Sequence, residues 1–215
     1  MKKYTEAKLT QQQKEFLAGC LLGDGNLRIE NGCKTAFFQC SHGPEQLKYN
    51  QYKAKLFENL NAKCNTYIRK TPNKKTGKFY EYNQLATNHN VELTEMYYNM
   101  YKDGKKIITP ELLENFTEYS LAILYMDDGC KTVDKRKVDK NVGYYISTCN
   151  FDEESLKLFQ KFLFEKFNIE TTIQKSSNKL YIRMNSRNLF ETYVEKYVKQ
   201  ISCLNYKLRD KKDVS

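Results

Sequence analysis

Asp24 and Asp128 are the residues whose setting suggests chemistry. Each ends an apolar run and is followed by glycine. Phe16 to Gly25 reads FLAGCLLGDG, and Ser120 to Gly129 reads SLAILYMDDG. Both runs read as helices, so each places a carboxylate at a helix C-terminus. That end already carries partial negative charge from unpaired carbonyls, and an anion there costs about 0.3–1 kcal/mol. A single such ending has an ordinary explanation, because Gly25 or Gly129 can adopt the left-handed conformation that closes a helix. Two endings at equivalent points, about half the chain apart, ask for more. If the helices pack side by side, Ala18, Gly19, Gly23 and Ala122 let their backbones approach, and the two carboxylates cluster. Hard divalent cations relieve such a cluster. Paired acids with hard cations on a basic protein suggest phosphodiester hydrolysis.

The basic character is plain. The 215 residues carry 36 Lys+Arg against 26 Asp+Glu, a net charge of +10. Such an excess fits a polyanionic partner, nucleic acid ahead of a membrane surface, and on charge alone it fits a merely solvated lysine-rich exterior equally well. At 40% hydrophobic residues the chain can form one large domain or two small ones. Seven cysteines without a CxxC pair, and only two histidines, predict no zinc-type ligand set, and several of the cysteines, in apolar strand or helix contexts, read as core thiols. The expected setting is reducing and intracellular: a bacterial or phage-infected cytoplasm or an organelle matrix, not the secreted space. No apolar run is long enough to span a membrane, and MKKYTEAKLTQQQKEF lacks the apolar core of a signal peptide.

The elements that must position the two aspartates occur in the same order twice. A helix over roughly Gln11 to Gly23, with Thr10 as N-cap, leads into strands at NLRIE and KTAFFQCS around the turn signal Asn31-Gly32. A second helix follows Pro44, its inward face assigned to Leu47, the Lys48 stem, Gln51 and Leu56 to Leu60. A hairpin turning over Pro72 to Lys78 comes next, then a helix stopped by Gly104. The second pass opens near Pro110 and runs through the helix ending at Asp128. It continues with a hairpin carrying a long basic loop, a helix entered through Asp152, a hairpin turning at Ser176-Ser177-Asn178, and a last helix, RNLFETYVEKYVKQI. The prediction is an α+β protein of two pseudo-symmetric αββαββα repeats, residues 1–108 and 109–215.

LAGCLLGDG (Leu17 to Gly25) and LAILYMDDG (Leu121 to Gly129) resemble the two defining helices of the LAGLIDADG homing endonucleases, in the single-chain, two-repeat form. The resemblance covers essentially the whole chain. It departs from the name-giving pattern at Leu22 and Gly23, and at Ile123, positions that bear on helix packing more than on chemistry. The resemblance implies that the motif helices pack at the centre and that antiparallel sheets form a DNA-binding saddle. It also implies that Asp24 and Asp128 are the essential ligands of Mg2+, two or more divalent ions being shared between them. The carbonyls of Gly23 and Asp127 would supply further oxygens. GKKIITPELL and LNYKLRD resemble the segments that carry water-organising basic residues, which assigns that catalytic role to Lys106 and Lys207. His42, at a strand end, is a further candidate for the hydration network.

Strand alternation proposes the DNA-facing side chains. In the first repeat they are Asn26, Arg28, Glu30, Thr35, Gln39, Tyr67 and Arg69, with Lys74, Lys75 and Lys78 at a hairpin tip near phosphates. In the second they are Thr132, Asp134, Arg136, Gln174, Tyr181 and Arg183. Arg and Gln can read guanine and adenine edges, while Lys grips the backbone. The expected function is a monomeric, site-specific double-strand DNA endonuclease, intron-encoded, using magnesium and leaving staggered ends. The rivals are an intron RNA maturase and a non-catalytic DNA-binding protein of the same fold.

Overall fold

Two sheets of identical topology carry the architecture in the computed structural model, which describes residues 3–133, 142–174 and 178–209. The elements are α1 (Gln11–Leu22), β1 (Asn26–Ile29), β2 (Ala36–His42), α2 (Leu47–Leu56), β3 (Lys63–Ile68), β4 (Glu81–Ala86) and α3 (Val91–Met100). There follow β5 (Tyr101–Lys102), β6 (Lys105–Lys106), α4 (Pro110–Glu114), α5 (Glu118–Asp128), β7 (Gly129–Val133) and β8 (Val142–Ser147). The last are α6 (Glu153–Phe167), β9 (Thr171–Gln174), β10 (Lys179–Ile182) and α7 (Arg187–Val198). The strand orders are β1-β2-β4-β3 and β7-β8-β10-β9, antiparallel throughout. The α+β class and the repeated order of elements are as the sequence predicts.

Packing divides the chain into two compact units. One comprises Met1–Gln13 with Asp24–Tyr98, the other Lys14–Gly23 with Asn99–Ser215. In the first unit, β2 turns Ala36, Phe38, Cys40 and His42 inward, all buried. Helix α2 covers them with Tyr49, Asn50 and Lys53. The predicted inward face is therefore corrected, since Lys48 and Gln51 are exposed. The reason is a polar pair in the core. Asn50 Nδ2 donates to the Asn83 carbonyl at 3.0 Å, and Asn83 Nδ2 donates to the Gly43 carbonyl at 2.6 Å. Amides whose N–H groups find carbonyls in this way occupy positions that apolar periodicity reserves for leucine. The first turn of α1 is fixed by Thr10 Oγ1, which accepts from the Gln13 amide at 3.2 Å. The Thr10 amide donates in return to Gln13 Oε1 at 2.8 Å.

The second unit is built around the rest of α1 and α5. Phe16 to Leu22 and Tyr119 to Asp127 are buried without a break, as helices apolar on every side must be. They cross closely enough that a Cβ on Gly19 would lie 2.1 Å from the Ser120 carbonyl oxygen. Ser120 Oγ donates across the crossing to the Glu15 carbonyl at 2.6 Å. Helix α7 packs on α5 through Phe190, whose ring meets Tyr125 edge-on at 5.1 Å.

Two local expectations need correction. Helix α3 stops at Met100 rather than Gly104, and Tyr101 to Lys106 form a ribbon turning at Asp103 (φ 50°) and Gly104 (φ 73°). Asp-Gly favours this primed turn, whose twist matches the two strands it joins. Gly25 and Gly129 are not left-handed; among the described residues the glycines with positive φ are Gly32, Gly77 and Gly104. Gly129 is extended (φ −78°, ψ 150°), and a Cβ there would lie 2.0 Å from Tyr125 Cδ2. It is a glycine of close approach. The Ser176-Ser177 part of the predicted last turn lies outside the described residues.

Candidate functional site

The ends of α1 and α5 answer the question their aspartates raise. Asp128 is the last residue of α5, and Lys207, from the 3-10 segment Ser202–Lys207, reaches the same helix end. Its Nζ donates to the carbonyls of Tyr125, Met126 and Asp127 at 3.1, 2.6 and 3.2 Å. The side chain is buried, and the segment is tied down by Tyr125 Oη, which donates to the Lys207 carbonyl at 2.6 Å. Burial pushes the Tyr125 phenol well above its ordinary range, so it stays a donor.

The end of α1 within the second unit is treated alike. The Asp103-Gly104 turn brings β6 back so that Lys106 Nζ donates to the carbonyls of Leu21 and Gly23 at 2.9 and 3.3 Å. Each motif helix thus has an ammonium group on its terminal carbonyls. Hydrogen bonds to a charged partner are worth about 1.5–3 kcal/mol, against about 0.3–1 kcal/mol for a carboxylate at a negative helix end. The lysine wins, and the aspartate becomes tolerable. Gly23 faces Asp127, where a Cβ would come within 2.6 Å of the Asp127 Cβ. The carbonyls of Gly23 and Asp127 proposed as cation ligands both accept from these lysines.

Asp24 lies in the turn two residues beyond α1, so the two motif aspartates are held differently. His42 Nδ1 is 3.5 Å from Asp24 Oδ2. Behind the imidazole, the fully buried Lys53 donates to His42 Nε2 at 2.8 Å and to Cys40 Sγ at 3.2 Å, with Nζ 4.1 Å from the Tyr49 ring centroid. With Lys53 in its ammonium form, Nε2 accepts and Nδ1 carries the proton toward Asp24. Sequence reasoning noticed His42 but missed Lys53 and Cys40. A lysine at an inward helical position gives no signal of its own.

The candidate DNA-facing residues fall as follows. Asn26 and Arg28 are exposed on β1, with Glu30 exposed just beyond it; Thr35 and Gln39 are half-buried. Tyr67 and Arg69 are exposed, Tyr67 stacking on Tyr82 at 5.6 Å. Lys74, Lys75 and Lys78 are exposed on the turn shaped by Asn73 Oδ1, which accepts from the amides of Lys75 and Thr76. Thr132 is exposed on β7, and Gln174 and Tyr181 sit half-buried on β9 and β10. Arg183 lies past β10 and pairs with Glu170 at 2.8 Å. Asp134 and Arg136 lie outside the described residues.

Register shows what was overlooked. Lys63, Asn65 and Tyr67 of β3 pair with Ala86, Gln84 and Tyr82 of β4, placing all six on the outward face. A hollow of about 660 Å³ on that face is lined by Lys63, Asn65, Tyr67 and Gln84. In the other sheet, Tyr145 packs against Tyr181 at 4.9 Å, and Lys179 pairs with Ser147. The alternation in KCNTYI could have found Lys63 and Asn65.

Comparison with known proteins follows the same geometry. The sequence profile of the LAGLIDADG DNA endonuclease family matches residues 14–190. The DNA endonuclease I-ChuI of Chlamydomonas applanata is 26% identical over 94% of this chain and 96% of its own. The cytochrome b mRNA maturase bI2 of Debaryomyces hansenii is 26% identical over 93% of this chain and 74% of its own. Protein RecA of Mycolicibacterium flavescens is 37% identical over 59% of this chain, and the match spans 28% of that relative. Among solved structures, the homing endonuclease I-WcaI bound to its DNA recognition sequence superposes with a TM-score of 0.81. It is 28% identical and covers 94% of this chain and 88% of that one. No helix among the described residues is long and apolar enough to cross a membrane. With both aspartate-ended helices inside the matched span, the chain belongs to the LAGLIDADG DNA endonuclease family.

Proposed function

We propose that the protein is a site-specific homing endonuclease that cuts both strands of a long DNA target with Mg2+, leaving staggered ends. It acts as an intracellular, intron-encoded monomer with repeats 1–108 and 109–215. The observation that carries the reading is the pair of aspartate-ended helices, each with a lysine ammonium on its terminal carbonyls. The match to I-ChuI along nearly both chains, and the likeness to DNA-bound I-WcaI, support it.

Members of the family use divalent metal ions. The oxygen donors proposed at these helix ends are the carboxylates of Asp24 and Asp128 and the carbonyls of Gly23 and Asp127, with a His42 ring nitrogen beside Asp24. Such a hard set fits magnesium better than a transition metal. When bound, the cation stabilises charge developing on the scissile phosphate and eases deprotonation of the attacking water. The chain does the rest. His42 holds Asp24 at 3.5 Å and is itself fixed by Lys53, which orients a ligand as outer-shell partners do. Lys106 and Lys207 keep positive charge on the terminal carbonyls of the two motif helices. Lys207 directs its three N–H groups at three carbonyls, so its part is to hold the α5 terminus. The outward sheet faces supply grip and readout of double-stranded DNA.

The test is cleavage of a plasmid carrying the intronless host-gene junction, in magnesium and in calcium. Asp24→Asn and Asp128→Asn are each expected to abolish magnesium-dependent cutting while DNA binding persists. Tight binding without cutting by the unmutated protein would overturn the nuclease reading and leave a maturase or a DNA-binding protein, with intron RNA the next probe.

A further inference from the structure

The first unit carries a second cluster, of which the endonuclease reading uses only Glu30, as a candidate DNA contact. Glu30 and Cys33 close the turn after β1, where the Cys33 amide donates to the Glu30 carbonyl at 2.9 Å and Gly32 adopts φ 80°. His89, between β4 and α3, lies against that turn. The histidine backbone is clamped on both sides, its amide donating to the Lys3 carbonyl and its carbonyl accepting from the Thr5 amide, both at 2.9 Å. Glu30, Cys33 and His89 each offer one ligand atom, and those atoms lie within 4.8 Å of one another.

The imidazole is set up as metal-binding histidines are. It is 97% buried, being 3% exposed, with its ring edge-on to Phe37 at 5.3 Å. Nδ1 is 2.5 Å from the Thr35 carbonyl oxygen, which can only accept, so Nδ1 carries the proton. A ligating histidine characteristically donates its other ring N–H to a carbonyl in this way. Nε2 has no hydrogen-bond partner, and in the neutral ring it presents a lone pair. It points at Glu30 Oε2 across 3.6 Å, too far for a hydrogen bond. Zinc–nitrogen and zinc–oxygen bonds of about 2.0–2.2 Å at a tetrahedral angle place the two ligand atoms roughly 3.3–3.6 Å apart. The observed gap is the edge of such a tetrahedron.

We propose that Glu30, Cys33 and His89 form a binding site for a zinc-class divalent cation, with a solvent molecule completing the fourth position on the exposed Glu30 side. The mixed N, O and S donors select a borderline-soft ion over magnesium. Binding releases the Cys33 thiol proton to water and leaves the thiolate on the metal, with no change of oxidation state. Its effect is to pin the β1–β2 turn to the segment between β4 and α3, and to draw Glu30 away from any nucleic acid. This site is independent of the Asp24 and Asp128 reading.

The experiment is a Co2+ titration of the full chain, reduced and freed of metal by chelation, in excess magnesium to occupy the oxygen sites. The expected result is a thiolate-to-cobalt absorption band that saturates at one equivalent and is displaced by Zn2+. Cys33→Ser, at a half-exposed turn position, is expected to fold as judged by circular dichroism and to lose the band. Glu30→Gln is expected to weaken cobalt binding while keeping it. Absence of the band in the unmutated protein, or its full retention in Cys33→Ser, overturns the site and leaves a His89–Glu30 ion pair.

Discussion

At the scale of single residues, Lys207 shows how a family feature becomes a physical requirement. Its stem is buried and its ammonium meets three carbonyls of the last turn of α5, of which the Tyr125 carbonyl also accepts from the Gly129 amide. Lys207→Met keeps the stem and removes the ammonium donor from the Met126 and Asp127 carbonyls, while the Tyr125 carbonyl keeps the Gly129 amide. The loss of stability is expected to be about 1–3 kcal/mol, read as a lower urea midpoint with an unchanged slope. A midpoint that stays put or rises would show that removing a buried charge outweighs losing the cap. The aspartates, the lysines and His42 were legible because their types stand at marked points of a repeat. The partners that fix them were not, because Lys53 and Cys40 reach His42 only through packing of α2 on β2. The same holds for His89, far along the chain from Glu30 and Cys33, which only the fold brings beside them.

At the scale of elements, the buried helices announce themselves. Phe16 to Leu22 and Leu121 to Met126 are apolar on all sides, and the glycine at position 19 is there because the Ser120 carbonyl leaves no room for a Cβ. Helix α6 was equally legible through Asp152, whose side chain accepts from the Ser155 amide at 2.8 Å. That amide bond, followed by the Ser155 hydroxyl, holds the Asp152 carboxyl below its ordinary 3.8. A lowered carboxyl adds stability above its unfolded value and loses it as pH falls through the folded one. Asp152→Asn retains an acceptor at every pH, so its thermal midpoint is expected to fall less than the parent's on acidification below about pH 4. Asp152→Ala should cost about 1 kcal/mol at neutral pH. Parallel acid slopes for the parent and the asparagine variant would remove the carboxylate from this role. Helix α2 was the poorly read element, since a face built from Tyr49, Asn50 and Lys53 has no apolar period.

At the scale of the whole molecule, the order of elements and the hairpin pairings were legible, because each hairpin is bounded by strong turn residues, while the strand order of each sheet was not. What the sequence could not display is that packing follows a different division from the repeat. The net charge of +10 also acts at this scale. DNA affinity is expected to fall along a straight line in log salt. The loss should be on the order of 10³–10⁵ between roughly 50 and 200 mM if six to ten phosphates are neutralised. A flat salt dependence in a filter-binding or anisotropy assay would argue against a backbone-gripping saddle. Helix α1 has one further consequence, for synthesis on the ribosome. Lys14–Gly23 belongs to the unit completed by Asn99–Ser215. The helix emerges early, yet the α5 surface that covers it is translated about a hundred residues later, a wait of roughly 5–20 s at bacterial elongation rates. During that interval the nascent chain carries a sticky, unpartnered helix, which makes the early half of this protein a natural client for a holding chaperone.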